Sequence, residues 1–282
     1  MDGPDILVRT LSQPTIPDKY GNLWQYHSRS DRHSKVACWA ILYDVLQHST
    51  QLAAHAASGK IRFGINRQMR DFRTNRTKDL DLVISRPGPT PLPRPPATME
   101  DLAVRWGVRL SAEQRATLAQ LPPLVEGTAG NVLMALEAKA CMTAHIKALP
   151  RLFDELTSSY ATVHNDTPQA LAVGFVMINA SPTFVSPDLN KYDLSAQHPT
   201  VNEHPPHAAT RTMQKVMEIE RRTSPSSDGF DALGALVVSM RNDGSPVELI
   251  HEPPAPKPAD VYSYSRMVGR IAQAYDLTFG GI

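Results

Sequence analysis

Residues 131–140 read Asn-Val-Leu-Met-Ala-Leu-Glu-Ala-Lys-Ala, a run of five apolar residues that ends in Glu137 and Lys139. An apolar run of that length predicts a central strand, covered on both faces of its sheet. Strand side chains alternate, so Glu137 and Lys139 point the same way while Ala138 turns into the core. Charges at the end of a buried strand need a partner or a metal ion, because an isolated charge is costly to bury. An ion network at the sheet end, or Glu-Ala-Lys-Ala opening a helix, would account for the same letters.

Upstream, Lys78-Asp-Leu-Asp-Leu-Val-Ile-Ser reads as a second strand, with Asp79 and Asp81 on one face and Leu80 and Leu82 on the other. Lys60 to Asn66 also alternates, placing Ile61, Phe63 and Ile65 together on a short strand. Between these segments the cations concentrate. Lys60, Arg62, Arg67, Arg70, Arg73, Arg76 and Lys78 face the single acid Asp71. If the stretch is helical, the spacing of three from Arg67 to Arg76 puts those arginines on one side, where they could follow a row of phosphates. A solvated basic face is the plainer alternative. Earlier still, apolar residues at helical spacing predict a buried helix over about 34–56, with Ser34 as its N-cap and Gly59 after its end.

From Arg86 to Pro96 the chain reads Arg-Pro-Gly-Pro-Thr-Pro-Leu-Pro-Arg-Pro-Pro, an extended connector poor in backbone donors. Thr98 and Ser111 then open two capping boxes, so a helical hairpin is expected over about 98–121. Ala103, Gly107 and Val108 also sit at helix-turn-helix spacing, although the second helix is not basic. Beyond the central strand come a helix over about 142–160 that Pro150 should kink or divide, and an apolar strand over about 171–180. A loop over about 181–207, a helix over about 208–222, a hairpin around Asp243-Gly244 and a last helix over about 261–275 complete the order. His198, His204, His207 and Glu203 suggest a metal cluster, but the prolines among them imply a flexible loop.

Over 282 residues the chain carries 29 Lys and Arg against 28 Asp and Glu, so no bulk basicity announces a nucleic-acid partner and the local excess must carry that argument. The two cysteines, Cys38 and Cys141, are too few for a disulfide framework, and a reducing, cytoplasmic setting is the expectation. No apolar run approaches the ~20 residues of a membrane span, and acids and prolines occupy the start of the chain where a secretory leader would be basic and then apolar.

The order helix, strand, strand with Asp81, strand ending Glu137-Ala138-Lys139, helix, apolar strand resembles the PD-(D/E)xK nuclease superfamily, to which many type II restriction endonucleases belong. The resemblance rests on Leu80-Asp81-Leu82-Val83-Ile84 and Leu136-Glu137-Ala138-Lys139 and covers about residues 34–180. Asp81 rather than Asp79 matches the family's acid, since an unbroken apolar strand follows it at once. The long interval to Glu137 is accounted for by an insertion over about 87–127.

The resemblance implies an α/β fold in which a restriction-endonuclease-like core, a central mixed β-sheet flanked by helices, carries a helical insertion and a C-terminal α+β extension over about 208–282. All of this would form a single nuclease domain over 1–282. It implies Asp81, Glu137 and Lys139 as catalytic residues, and Mg²⁺ held by Asp81, Glu137 and the backbone carbonyl of Ala138. Hard oxygen donors of this kind suit Mg²⁺ and a substrate phosphate. The expected reaction is phosphodiester hydrolysis of double-stranded DNA, with Arg67, Arg70, Arg73, Arg76, Lys78 and Lys147 as DNA contacts. A homodimer is the simplest way to cut both strands. A defence or repair nuclease without a fixed recognition sequence, and a non-catalytic nucleic-acid-binding protein, are the alternatives.

Overall fold

Helix α2 (Arg32–His48) is the element around which the chain packs, with every residue from Val36 to Leu46 buried. A computed structural model describes residues 1–92, 94–224 and 227–282; Pro93 of the proline connector lies outside the described residues. Before α2 come α1 (Gly3–Leu11), β1 (Ile16–Pro17) and β2 (Leu23–Trp24), none of which is among the expected elements. After it come α3 (Thr50–Ala57), β3 (Arg62–Asp71), β4 (Arg76–Pro87), α4 (Met99–Trp106), α5 (Ala112–Gln120), β5 (Ala129–Cys141), α6 (His145–Asp166) and β6 (Leu171–Asn179). The chain continues as β7 (Thr183–Val185), β8 (Val201–Glu203), α7 (Ala208–Met217), β9 (Ala232–Ser239), β10 (Glu248–Leu249) and α8 (Tyr264–Phe279).

The protein is α/β, built on a six-stranded mixed sheet of order β10-β9-β6-β5-β4-β3 with helices on both faces. β3, β4 and β5 form an antiparallel meander; β6 lies parallel to β5 and β9 parallel to β6. Parallel neighbours require a crossover, and the α6 and α7 segments supply the two. On one face α1, α2 and α8 enclose a core that includes Phe63, Leu82, Leu136 and Phe175. On the other, α6 and α7 cover Val83, Ala135, Val176 and Val237. Every residue of β6 is buried, as its continuous apolar run predicts for a central strand.

Several expectations are corrected in detail. The helix expected over 34–56 divides at Ser49, which takes an extended conformation so that its hydroxyl can cap α3 while donating to Asp276 at 2.5 Å. Asp31, not Ser34, stands at the N-cap position of α2. The segment from Arg67 to Arg76 is not helical: β3 runs on to Asp71 and turns directly into β4. Leu80 and Leu82 do not share a face, because Leu82 joins the α2 core and Leu80 the α6 core. Asn66, opposite this change, has a left-handed φ of 49°. Pro150 lies in the second turn of α6 without dividing it. The stretch over about 181–207, expected to be loop, contains the small β7-β8 hairpin.

The helical hairpin forms as its two capping boxes predict, with Gly107 at a φ of 64° closing α4. It packs on α2: the Trp39 indole donates to the Met99 carbonyl at 2.8 Å and the Tyr43 hydroxyl to that of Gln114 at 3.2 Å. The C-terminal part extends the central sheet through β9 and β10 and covers it with α8. Among the described residues no helix is long and apolar enough to cross a membrane.

Candidate active site

β4 and β5 are paired from Pro87 and Ala129 to Leu82 and Leu136, and beyond that point no further pair forms. Asp81 is the next residue on β4 and Glu137 the next on β5. The Asp81 side chain replaces the lost backbone partner: its Oδ2 accepts the Ala138 N–H at 2.9 Å. In an extended strand a residue's N–H and C=O leave on the same side, so the Ala138 carbonyl is directed toward the side on which Asp81 lies. The carboxylates are thus set where the pairing of two antiparallel strands ends.

Glu137 is only 3% exposed. Its Oε1 lies 2.6 Å from the Lys139 ammonium and 3.9 Å from that of Lys78. Lys139 also reaches Glu155 Oε2 of α6 at 3.1 Å, and Lys78 donates to the Glu155 carbonyl at 2.5 Å and to the Ser158 hydroxyl at 2.9 Å. The other oxygen of Glu137, Oε2, is buried without a hydrogen-bond partner among the described residues. A carboxylate oxygen left this way in the interior is costly unless a ligand completes it.

Electrostatics follow from burial. Burial raises the pKa of Asp81 despite the Ala138 amide and Lys139. Burial and then the neighbouring charge of Asp81 raise that of Glu137 against the pull of Lys139 and Lys78. For Lys139 burial disfavours the ammonium, but Glu137, with Glu155 and Asp81 behind it, outweighs this and the pKa is raised. Burial, and for Glu137 the charge of Asp81, thus disfavour ionisation of both carboxylates, while Lys139 beside them is firmly charged. The N-terminal part of α2 closes the site. His33, held neutral with a pKa pushed down to about 4 chiefly by burial, feels the charges of Asp31 and Lys139, and burial raises the Cys38 thiol with Asp81 and Glu137 adding to it.

Asp81, Glu137, Ala138 and Lys139 therefore converge, on a strand and not on a helix. The expected DNA contacts divide. Lys78 belongs to the carboxylate cluster. Arg67 is turned to the Gly127 carbonyl at 2.5 Å, and Arg70 is bonded to Asn75. Arg73 and Arg76 are exposed at the β3-β4 turn, and Lys147 is exposed in the first turn of α6. His198 and His207 are exposed, while His204 bonds the Ser181 carbonyl. Among the described residues no group of three or more His, Cys, Asp or Glu forms a metal cage. Glu155 was not foreseen, because nothing in a helix sequence says which strand lysine it will meet.

The hollow of about 420 Å³ lined by Lys19, His27 and Arg29, and that of about 530 Å³ lined by Arg222 and Arg270, lie away from these carboxylates. Compared with protein-family models, with curated proteins and with solved structures, the chain matches none.

Proposed function

We propose that the protein is a Mg²⁺-dependent DNA endonuclease of the PD-(D/E)xK type, most closely a type II restriction endonuclease. The observation that carries this reading is the parting of β4 and β5 around Asp81 and Glu137, with Lys139 beside them and Glu137 Oε2 unpaired. The meander β3-β4-β5, the crossover α6 and the parallel strand β6, preceded by α2, follow the element order on which the family resemblance rests.

The donors present fit Mg²⁺. Two carboxylates and a backbone carbonyl leave room for the waters and substrate phosphate that such an ion keeps, so the lack of a larger His/Cys/Asp/Glu cage is no obstacle. When bound, the ion would polarise the phosphoryl oxygen and lower the pKa of a coordinated water. Asp81, fixed by the Ala138 amide, and Glu137, fixed by Lys139, would hold it from two strands. Lys139, clamped between Glu137 and Glu155, is a preorganised positive charge for the negative charge that builds on phosphorus and for orienting the attacking water. Lys78 adds a second cation on the same side.

A competing reading is a structural ion network, favoured by the closed chain Lys78-Glu137-Lys139-Glu155. The test is incubation of the protein with plasmid and phage DNA in Mg²⁺ or EDTA, with end-sequencing of the products. Discrete fragments in Mg²⁺ support a restriction enzyme, and a smear a nonspecific nuclease. Salt-dependent binding without breakage at any protein concentration leaves the ion network.

A further inference from the structure

β3 and β4 run past the carboxylates as a two-stranded ribbon, paired from Gln68 and Asp79 to Asp71 and Arg76 and closed by Phe72-Arg73-Thr74-Asn75. One face of the ribbon is spent on the fold: Met69 and Leu80 join the core under α6, and Lys78 reaches Glu155. The other face, with Gln68, Arg70, Thr77 and Asp79, is exposed, and so is the whole turn. Phe72, at the turn, is 64% exposed.

The turn is built, not loose. Asp71 is buried, and its Oδ1 accepts the N–H groups of Arg73 at 2.8 Å and Thr74 at 3.1 Å. Asn75 adopts a left-handed φ of 57° and accepts from the Arg70 guanidinium, which itself lies 5.5 Å from the centre of the Phe72 ring. Arg73 and Arg76 have no ion-pair partner among the described residues. An aromatic ring 64% exposed thus stands at the tip of an ordered turn, flanked by the Arg70 guanidinium, with Arg73 and Arg76 exposed beside it.

We infer that this ribbon enters a groove of duplex DNA and that Phe72 wedges into a base step while Arg73 and Arg76 hold the flanking phosphates. The identity of the polymer rests on the nuclease reading of the adjoining carboxylates. A two-stranded ribbon fits the major groove; groove-inserted apolar side chains are known to unstack base steps in minor-groove binders, and the face of an aromatic ring can stack on any base exposed by unstacking. At about 3.3 Å per residue the stretch from Arg76 to Asp81 spans about 17 Å, or roughly five base steps of 3.4 Å. The wedge therefore acts several base pairs from the bond that is cut, positioning the duplex without touching the chemistry. Contact with a second copy of the chain is disfavoured by the like charge of two such ribbons.

Binding in EDTA to short duplexes carrying 2-aminopurine at successive positions tests this without requiring cleavage. The wild type should raise fluorescence at one step. Phe72→Ala should lose that signal and bind about tenfold or more weakly, with the salt dependence of binding unchanged, and Phe72→Trp should restore both. Binding and fluorescence of Phe72→Ala equal to wild type would overturn the inference. So would a shift of the DNA-free protein from dimer to monomer on that substitution, which would make the ribbon a contact between copies. Phe72-dependent unstacking by a protein that breaks no DNA in Mg²⁺ would leave this inference standing and remove the nuclease reading alone.

Discussion

Lys139 is held by Glu137 at 2.6 Å and Glu155 at 3.1 Å, so its ammonium is ordered before any substrate arrives. If that charge stabilises the transition state, Lys139→Ala should lower single-turnover cleavage by about 100-fold or more while DNA affinity stays within severalfold, since affinity comes from phosphate contacts elsewhere. Cleavage by Lys139→Ala at the wild-type rate would remove its assigned role. At Asp18 the carboxylate serves stability instead. It accepts from the Tyr20 and Asn22 amides, the Asn22 side chain and the Trp24 indole at 2.8–3.0 Å. Burial opposes the charged form, but these donors outweigh it and lower the pKa. The native state therefore binds this proton more weakly than the unfolded chain, and the contribution is present above the unfolded pKa and lost as pH falls through the native one. Asp18→Ala should destabilise by about 1–3 kcal/mol at pH 7 in urea titrations. That deficit should shrink below about pH 4; one constant with pH would contradict this account of Asp18.

At the scale of elements, the β3-β4 hairpin shows what the sequence could and could not convey. A spacing of three among Arg67, Arg70, Arg73 and Arg76 suits a helix, but paired strands set the outcome. Arg67 is drawn to Gly127, Arg70 folds over the turn, and Arg73 and Arg76 are left exposed. Arg73→Ala and Arg76→Ala should each flatten the slope of log K against log salt by about 0.9, whereas Arg67→Ala should change it little and cost stability instead. Equal slopes for all three variants would return the arginines to a common face. β5, β6 and the capped helical hairpin were legible, because continuous apolar runs and capping boxes are local signals. The break at Ser49 was not, since its cause, Asp276, lies 227 residues away. Nor was the separation of Leu80 from Leu82, which depends on how β3 passes Asn66.

Over the whole molecule, α2 joins the insertion, the sheet and the C-terminal helix into one core, with Trp39 stacked on Tyr43 at 5.4 Å and bonded to Met99. Trp39→Ala should destabilise by about 3–5 kcal/mol and unfold the protein as a unit. A separate, unaffected transition for the helical hairpin would show that it is independent. The candidate cluster was legible as letters, Asp81 with Glu137 and Lys139, but the end of β4–β5 pairing that brings these side chains together is a property of the folded sheet. The central claim is that these residues cut DNA with Mg²⁺, and the most direct measurement compares conversion of supercoiled plasmid by wild type and by Glu137→Gln, each in Mg²⁺ and in EDTA. The account predicts breakage by the wild type in Mg²⁺ only, with Glu137→Gln folded, bound to DNA and inactive. Intact plasmid in every lane, or equal cutting by Glu137→Gln, would contradict it.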